Sequence, residues 1–367
     1  MSNELAAVII LAAGKGTRLK SSTPKVLQEM CGRTLVGHAL DAVSGVKPEH
    51  TVVVVKHERE AVVAHVSDIA PDALIADQDD INGTGRAAWC GMQVLPEDLE
   101  GPVLIVAGDS PMFTSEAFAS LLEAHGENAV TVLSTIVPNP TGYGRIRRAG
   151  APGTSEVDGT PQATGPILGI VEEKDASAME RKIAEIGTST YIFDAAFLRE
   201  HLGGLGTNNS QGEMYLTDMI AVANEADMGV GSFVLEDSIQ AEGVNDLVQL
   251  ADLREVKNRR ILEKWMRSGV SIIAPASTWI DVDVTLEPDS VVEPGTILRG
   301  NTHVAAFAVV GPNATLTDVN VGEGAKVPNS VLTGGTVPAG ETIQPFSARG
   351  PCASCPDGHR GRRAEPR

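Results

Sequence analysis

The chain has 367 residues, and 29 Lys+Arg against 48 Asp+Glu leave a formal net charge of −19. Its length fits two or three domains at roughly 100–200 residues each, and 42% hydrophobic with 21% charged residues is the balance of a soluble globular protein with a real core. The acidity argues against a nucleic-acid binder, which would present a basic face, and no apolar stretch near the start approaches the ~20 residues of a membrane span.

At the N-terminus, Leu5–Ala13 lacks a basic flank before it and a cleavage-like site after it, so no secretory signal is read there. Cys31, Cys90, Cys352 and Cys355 are scattered and make no disulfide framework, which points to a reduced, cytoplasmic protein. The short runs 7–11, 51–55 and 103–106 are continuously apolar and mostly β-branched, and longer segments of helical spacing, such as 116–125, lie between them. That pattern predicts an α/β domain whose parallel sheet is covered on both faces and doubly wound. Ligands of such sheets sit outside the carboxyl ends of the strands.

Residues 150–165, rich in Gly, Pro, Ser and Thr, read as a surface loop. From Leu247 the spacing Leu250, Leu253, Val256, Ile261, Trp265 predicts an amphipathic helix stopped by Gly269, a connector between two domains. The period then changes. Ile280, Leu286, Val292, Leu298, Val304, Val310 and Leu316 recur every six residues. Four positions after the first six stand Val284, Ser290, Thr296, Thr302, Ala308 and Ala314, mostly small. This hexad rule predicts a parallel β-helix of three short faces per coil, one aliphatic side chain stacking inward from each face. The register then slips to Val321, Val327, Leu332, Val337 and Ile343.

The strongest chemical signal is Leu11-Ala12-Ala13-Gly14-Lys15-Gly16-Thr17-Arg18, followed by Pro24-Lys25. Glycines after a strand let the backbone turn sharply and bring N–H groups onto a polyphosphate, to which Arg18 and Lys25 add fixed positive charge. A dinucleotide fingerprint would need a third glycine near Leu19, and the Gly-Lys-Ser/Thr of a P-loop is absent. Taken singly, Asp109 fits a ligand better than a helix cap, Asn245 fits a turn as well as a ligand, and Glu172 fits a solvated charge better than a ligand; only the constellation lifts them.

The string from Leu11 to Leu27 resembles the signature of sugar-1-phosphate nucleotidyltransferases. Further matches are Gln78 with Gly83-Thr84-Gly85, Gly108-Asp109-Ser110-Pro111, Gly142-Tyr143-Gly144-Arg145, Val171-Glu172-Glu173-Lys174-Asp175, 208–218 and Glu242-Gly243-Val244-Asn245. With the hexads, they resemble the bacterial family that joins N-acetylglucosamine-1-phosphate uridyltransferase to glucosamine-1-phosphate acetyltransferase, from about residue 6 to residue 346. The resemblance implies a Rossmann-like nucleotidyltransferase domain (1–246), a linker helix (247–270) and a short left-handed β-helix (271–346). It implies that Leu11, Ala12, Ala13, Gly14 and Lys25 hold the nucleotide, that Gln78, Gly83 and Thr84 read uracil, and that Arg18, Lys25 and Asp109 serve the reaction. Gly144, Glu172, Asn245 and the position of Gly187 would meet the sugar, and Asp109 with Asn245 would bind one Mg²⁺. The substrates implied are UTP and N-acetylglucosamine-1-phosphate, in cell-wall precursor synthesis. The alternatives are transfer to a different sugar-1-phosphate, or a non-catalytic β-helix assembly subunit.

Two departures stand out. Where the family usually has Asn-x-Gly after Glu185-Ile186, this chain has Gly187-Thr188-Ser189, and losing the Asn contact is expected to weaken sugar binding by ~1 kcal/mol. At the other end, 347–367 carries no hexads and reads as the product of a shifted frame or misjoined end, with a genuine tail as the alternative. Cys352, Cys355 and His359 are one pair with a histidine, a weak metal signal. The 66 residues from Ile280 to Pro345 give about 3.7 coils, so acetyltransferase activity is expected to be lost. The family implies a homotrimer, which a short β-helix with a sticky open rung would form poorly.

Overall fold

The computed structural model describes residues 4–149, 155–157, 160–162 and 165–350. Two compact units emerge: Met1–Glu29 with Thr34–Ala251, and Met30–Arg33 with Asp252–Arg367.

The first unit is built on a nine-stranded sheet. Ala7–Leu11, His50–Val55, Leu74–Asp77 and Pro102–Ala107 are parallel, with Ala7–Leu11 between His50–Val55 and Pro102–Ala107. Alternate residues along one strand serve two cores. Ala7 and Ile9 pack with Val52, Val54 and the helix Thr84–Met92, while Val8 and Ile10 pack with Val53, Val55 and the helices Leu35–Ser44 and Ser115–His125. Those two helices start on threonine caps: Thr34 accepts from the Gly37 amide and Thr114 from the Ala117 amide.

The sheet is not wholly parallel, which corrects the sequence expectation. Glu185–Asp194 runs antiparallel to both Pro102–Ala107 and Val130–Ile136, and Arg145–Arg148 pairs antiparallel with Ile167–Val171. The sequence pattern missed this because Glu185–Asp194 buries Glu185, Thr188 and Thr190 among its apolar residues and pairs with strands far away in sequence, so no apolar run marks its course. The long strand also carries an irregularity: its register against Val130–Ile136 shifts between Gly187 and Tyr191.

In the second unit the helix Leu247–Arg267 continues from the first, and Gly269 follows it at φ +95°. Met30–Arg33 belongs to this unit although it lies inside the span expected for the nucleotidyltransferase domain. The Val282 amide donates to the Cys31 carbonyl, and Arg33 pairs with Asp283 at 2.5 Å. Three parallel sheets of two- and three-residue strands then form the β-helix. Ile280, Leu298, Leu316 and Leu332 stack in one inward column, Leu286, Val304, Val321 and Val337 in a second, and Ile272, Val292, Val310 and Val327 in a third. All seven residues of the strict hexad run are buried. The corner hydroxyls of Ser290, Thr296 and Thr302 each donate, at 2.7 Å, to the carbonyl three residues back, which accounts for small polar residues at wholly buried positions.

The expected boundary at residue 347 shifts. Ala348–Arg349 pairs in parallel with Val331–Leu332, so the first described residues of the presumed tail still follow the coil. The sequence pattern hid this rung because Arg349 stands where the column otherwise has an aliphatic side chain. Cys352, Cys355 and His359, and most of the 150–165 loop, lie outside the described residues.

Candidate active site

The carboxyl ends of the parallel strands carry the first set of predicted residues. Past Leu11, the Ala12 amide bonds the Val54 carbonyl and the Leu11 carbonyl accepts from Gly108, which spends those groups on the sheet. The Ala13 and Gly14 amides make no backbone hydrogen bond among the described residues, as a phosphate-binding turn requires. Gly16 sits at φ +62°, and a Cβ there would lie 2.6 Å from the Lys25 Cβ, so only glycine lets the loop lie on Lys25.

Arg18, Lys25, Asp109 and Asn245, far apart in sequence, form one cluster. Arg18 donates to Asn245 Oδ1 at 2.6 Å, and Lys25 Nζ donates to the same oxygen at 3.4 Å while pairing with the Asp109 carboxylate. The Val244 amide donates to the Asp109 carbonyl at 3.0 Å, which binds the two loops together, and the Asn245 amide is held by Gln249 Oε1. One carboxylate and one amide oxygen thus converge on an ammonium. That is a donor set for a hard divalent cation that keeps water or phosphate oxygens as its other ligands. Among the described residues no group of three or more His, Cys, Asp or Glu could hold a metal by itself.

Gln78 and the Gly83–Thr84 turn lie beside this cluster's sheet. The Gln78 amide nitrogen donates to the Ile81 and Gly83 carbonyls at 2.8 and 3.3 Å, so its own loop fixes the amide. Gly83, at φ +115°, lies against the Met214 backbone, and the Gly85 amide donates to the Met214 carbonyl. Thr84 Oγ1 accepts from the Leu216 amide at 3.2 Å, so segments 82–85 and 214–216 are tied together.

A cavity of about 150 Å³ opens where Leu11 and Thr84 come together with Glu172, Ser189, Tyr191 and Thr217, and none of the four clustered residues lines it. Two predicted nucleotide contacts and one predicted sugar contact therefore share one wall. Glu172 is half-buried, and Thr217 donates to its Oε1 at 3.3 Å. Burial raises its pKa; the Thr217 hydrogen bond opposes that, and the charges of Asp218, Asp175 and Glu213 add to the rise. Gly144 and Gly187 do not line this cavity. They are joined by a hydrogen bond from the Gly187 amide to the Gly144 carbonyl, and a Cβ on either would meet Ile170.

Several residues quoted only as part of motifs prove to have places. Arg145, 1% exposed, donates to the Tyr143 carbonyl and to Glu173, and Glu173 also accepts from the Gly142 amide, so the guanidinium sets the Gly142–Gly144 turn. Burial, with the negative charges of Glu242 and Asp109, raises the Tyr143 pKa, which places that turn within electrostatic reach of the cation cluster. Ser189, Gln211, Glu213, Tyr215 and Thr217 line the cavity without having been singled out. Only the motif 208–218 hinted at four of them.

No helix among the described residues is long and apolar enough to cross a membrane. A phosphate-type turn, a paired oxygen donor set and a cavity walled by polar side chains on an α/β sheet define a sugar-phosphate nucleotidyltransferase. Residues 8–157 match the MobA-like NTP transferase domain. The bifunctional protein GlmU of Kineococcus radiotolerans is 48% identical over 344 residues, covering 93% of this chain and 67% of its own length. Its counterparts in Paenarthrobacter aurescens and Streptomyces coelicolor are 48% and 46% identical, at 67% and 69% of their lengths. The chain belongs to the bifunctional GlmU family, spanning about two thirds of these relatives, and its enzymatic class is that of a uridyltransferase.

Proposed function

We propose that the chain transfers UMP from UTP to N-acetylglucosamine-1-phosphate, giving UDP-N-acetylglucosamine and pyrophosphate in a Mg²⁺-dependent reaction. The observation that carries this reading is the joining of Arg18, Lys25, Asp109 and Asn245 in one cluster, connected through Gly108 and Leu11 to a cavity whose wall holds both Thr84 and Glu172.

In this reading the turn 11–14 and Lys25 receive the triphosphate, and the amide oxygen of Gln78 faces the uracil with Gly83 and Thr84. Glu172 and Thr217 accept and donate to sugar hydroxyls. An oxygen of the acceptor phosphate attacks the α-phosphorus, a new P–O bond forms, and the bond to the bridging oxygen of pyrophosphate breaks in line. The attacking phosphate is already ionised, so no general base is needed, and the work of the site is alignment and charge neutralisation. Asp109 and Asn245 would hold the cation, which when bound supplies several kcal/mol of charge stabilisation on phosphate oxygens. Arg18 and Lys25 take up the charge of the departing pyrophosphate.

A second reading, transfer to another sugar-1-phosphate, is favoured by the missing side chain at Gly187. Pyrophosphate release separates the two. Turnover with N-acetylglucosamine-1-phosphate supports the first, turnover only with another sugar-1-phosphate supports the second, and silence with every sugar-1-phosphate overturns both.

A further inference from the structure

The strand Glu185–Asp194 leaves its ladder between Gly187 and Tyr191. Within that irregularity stand three hydroxyl residues in a row, and they are treated differently. Thr188 and Thr190 are buried; the first donates to the Leu133 carbonyl at 2.8 Å and the second to the Thr188 carbonyl at 3.4 Å. Both hydroxyls are thereby spent on the fold. Ser189 between them is exposed, lines the cavity beside Glu172 and Thr217, and its hydroxyl has no hydrogen-bond partner among the described residues.

Its backbone is also unusual. Ser189 has φ +56°, the left-handed region that glycine occupies freely and serine rarely. A strained residue persists where the surroundings hold it, and such residues cluster at ligand-binding positions. Two residues earlier, Gly187 offers the cavity no side chain. The strand thus presents two polar side chains to the cavity, Ser189 and Tyr191, and of the two only Ser189 is exposed.

We propose that Ser189 is the specificity-determining residue of this strand, its hydroxyl hydrogen-bonding the acceptor sugar beside Glu172 and Thr217. The assignment rests on the sugar-phosphate nucleotidyltransferase reading above. A hydroxyl is both donor and acceptor, so it reads a sugar hydroxyl or an acetamido group where a methyl cannot.

Calorimetric titration with UDP and with UDP-N-acetylglucosamine tests this. The ratio of the two affinities isolates the sugar, because the nucleotide is common to both. In Ser189→Ala the ratio is expected to fall about five- to tenfold while UDP affinity stays unchanged. Ser189→Gly should show the same fall together with a higher Tm, because glycine relieves the left-handed strain. If wild-type protein binds both ligands and both variants keep its ratio within twofold, the assignment is overturned while the nucleotidyltransferase reading stands. If wild-type protein binds neither, that reading fails and takes the assignment with it.

Discussion

The Arg18 guanidinium donates to Oδ1 of Asn245 at 2.6 Å across 227 residues of sequence. The same oxygen accepts from Lys25, whose ammonium pairs with Asp109. One amide oxygen thereby connects the glycine-rich turn after the first strand to the loop that precedes the long helix. Cations near the turn and oxygen donors on two loops are thus held together by the fold, the kind of fixed charge arrangement that phosphoryl transfer uses.

Arg18 is exposed and packs in neither core, so its removal should affect chemistry and leave the fold intact. Arg18→Ala is expected to lower kcat for pyrophosphate release by about 10²–10³, the usual effect of losing one preorganised donor to a developing charge. Circular dichroism melting should give an unchanged Tm. A kcat near that of wild type would remove Arg18 from the reaction.

Chelation by EDTA should abolish turnover, and added Mg²⁺ should restore it. Asp109→Asn keeps a neutral oxygen donor but removes the only carboxylate among the four clustered residues. The half-saturating Mg²⁺ concentration should then rise by about tenfold or more, given the preference of Mg²⁺ for carboxylate ligands. A titration of rate against Mg²⁺ reads this directly, and an unshifted curve would place the cation elsewhere.

Glu172 supplies a pH dependence with a definite sign. Its pKa is raised, first by burial, with Thr217 opposing and Asp218, Asp175 and Glu213 adding to the rise. The folded state therefore holds this proton more tightly than the unfolded chain. Its contribution to stability is complete below the ordinary glutamate pKa and is lost as pH climbs through the raised one. Glu172→Gln removes that loss, so the Tm of the variant relative to wild type should grow across the window. Sugar binding should run the other way, strengthening in wild type as Glu172 ionises and becomes a full acceptor. Tm and sugar-phosphate affinity measured against pH in both proteins check the two signs.

What was legible in the sequence follows from how each feature is encoded. Ile280 to Leu316 announce the β-helix because each coil must bury one aliphatic side chain per face at a fixed interval. Arg18, Lys25 and Asp109 stand out because a glycine-rich turn after a strand and the carboxyl end of a parallel strand are where phosphate ligands bind and need counter-charge and ligating oxygens. Ser189 and Thr217 carry no such mark. They are ordinary polar residues that reach the cavity only because a strand slips register and a loop folds back over the helix at Thr84. The antiparallel course of Glu185–Asp194 was equally hidden, since its partners are far away in sequence and its burial pattern fits either direction.

The β-helix makes a separate stability prediction. Leu298 is fully buried in a column between Ile280 and Leu316, each a strand partner one coil away. Strands of two or three residues hold little of the coil by backbone pairing alone, so the inward column must supply the cohesion. Leu298→Ala removes its central member where neighbouring rungs cannot close up without breaking their ladders, and should cost about 2–5 kcal/mol. Thr296→Val, at a corner, keeps volume but deletes the hydroxyl that donates to the Glu293 carbonyl, and should cost about 1–3 kcal/mol. Denaturant unfolding followed by Trp279 fluorescence, with Trp89 and Trp265 replaced by Phe, reads the coil itself. A Leu298→Ala loss below 1 kcal/mol would mean that the ladder, rather than the column, carries the coil.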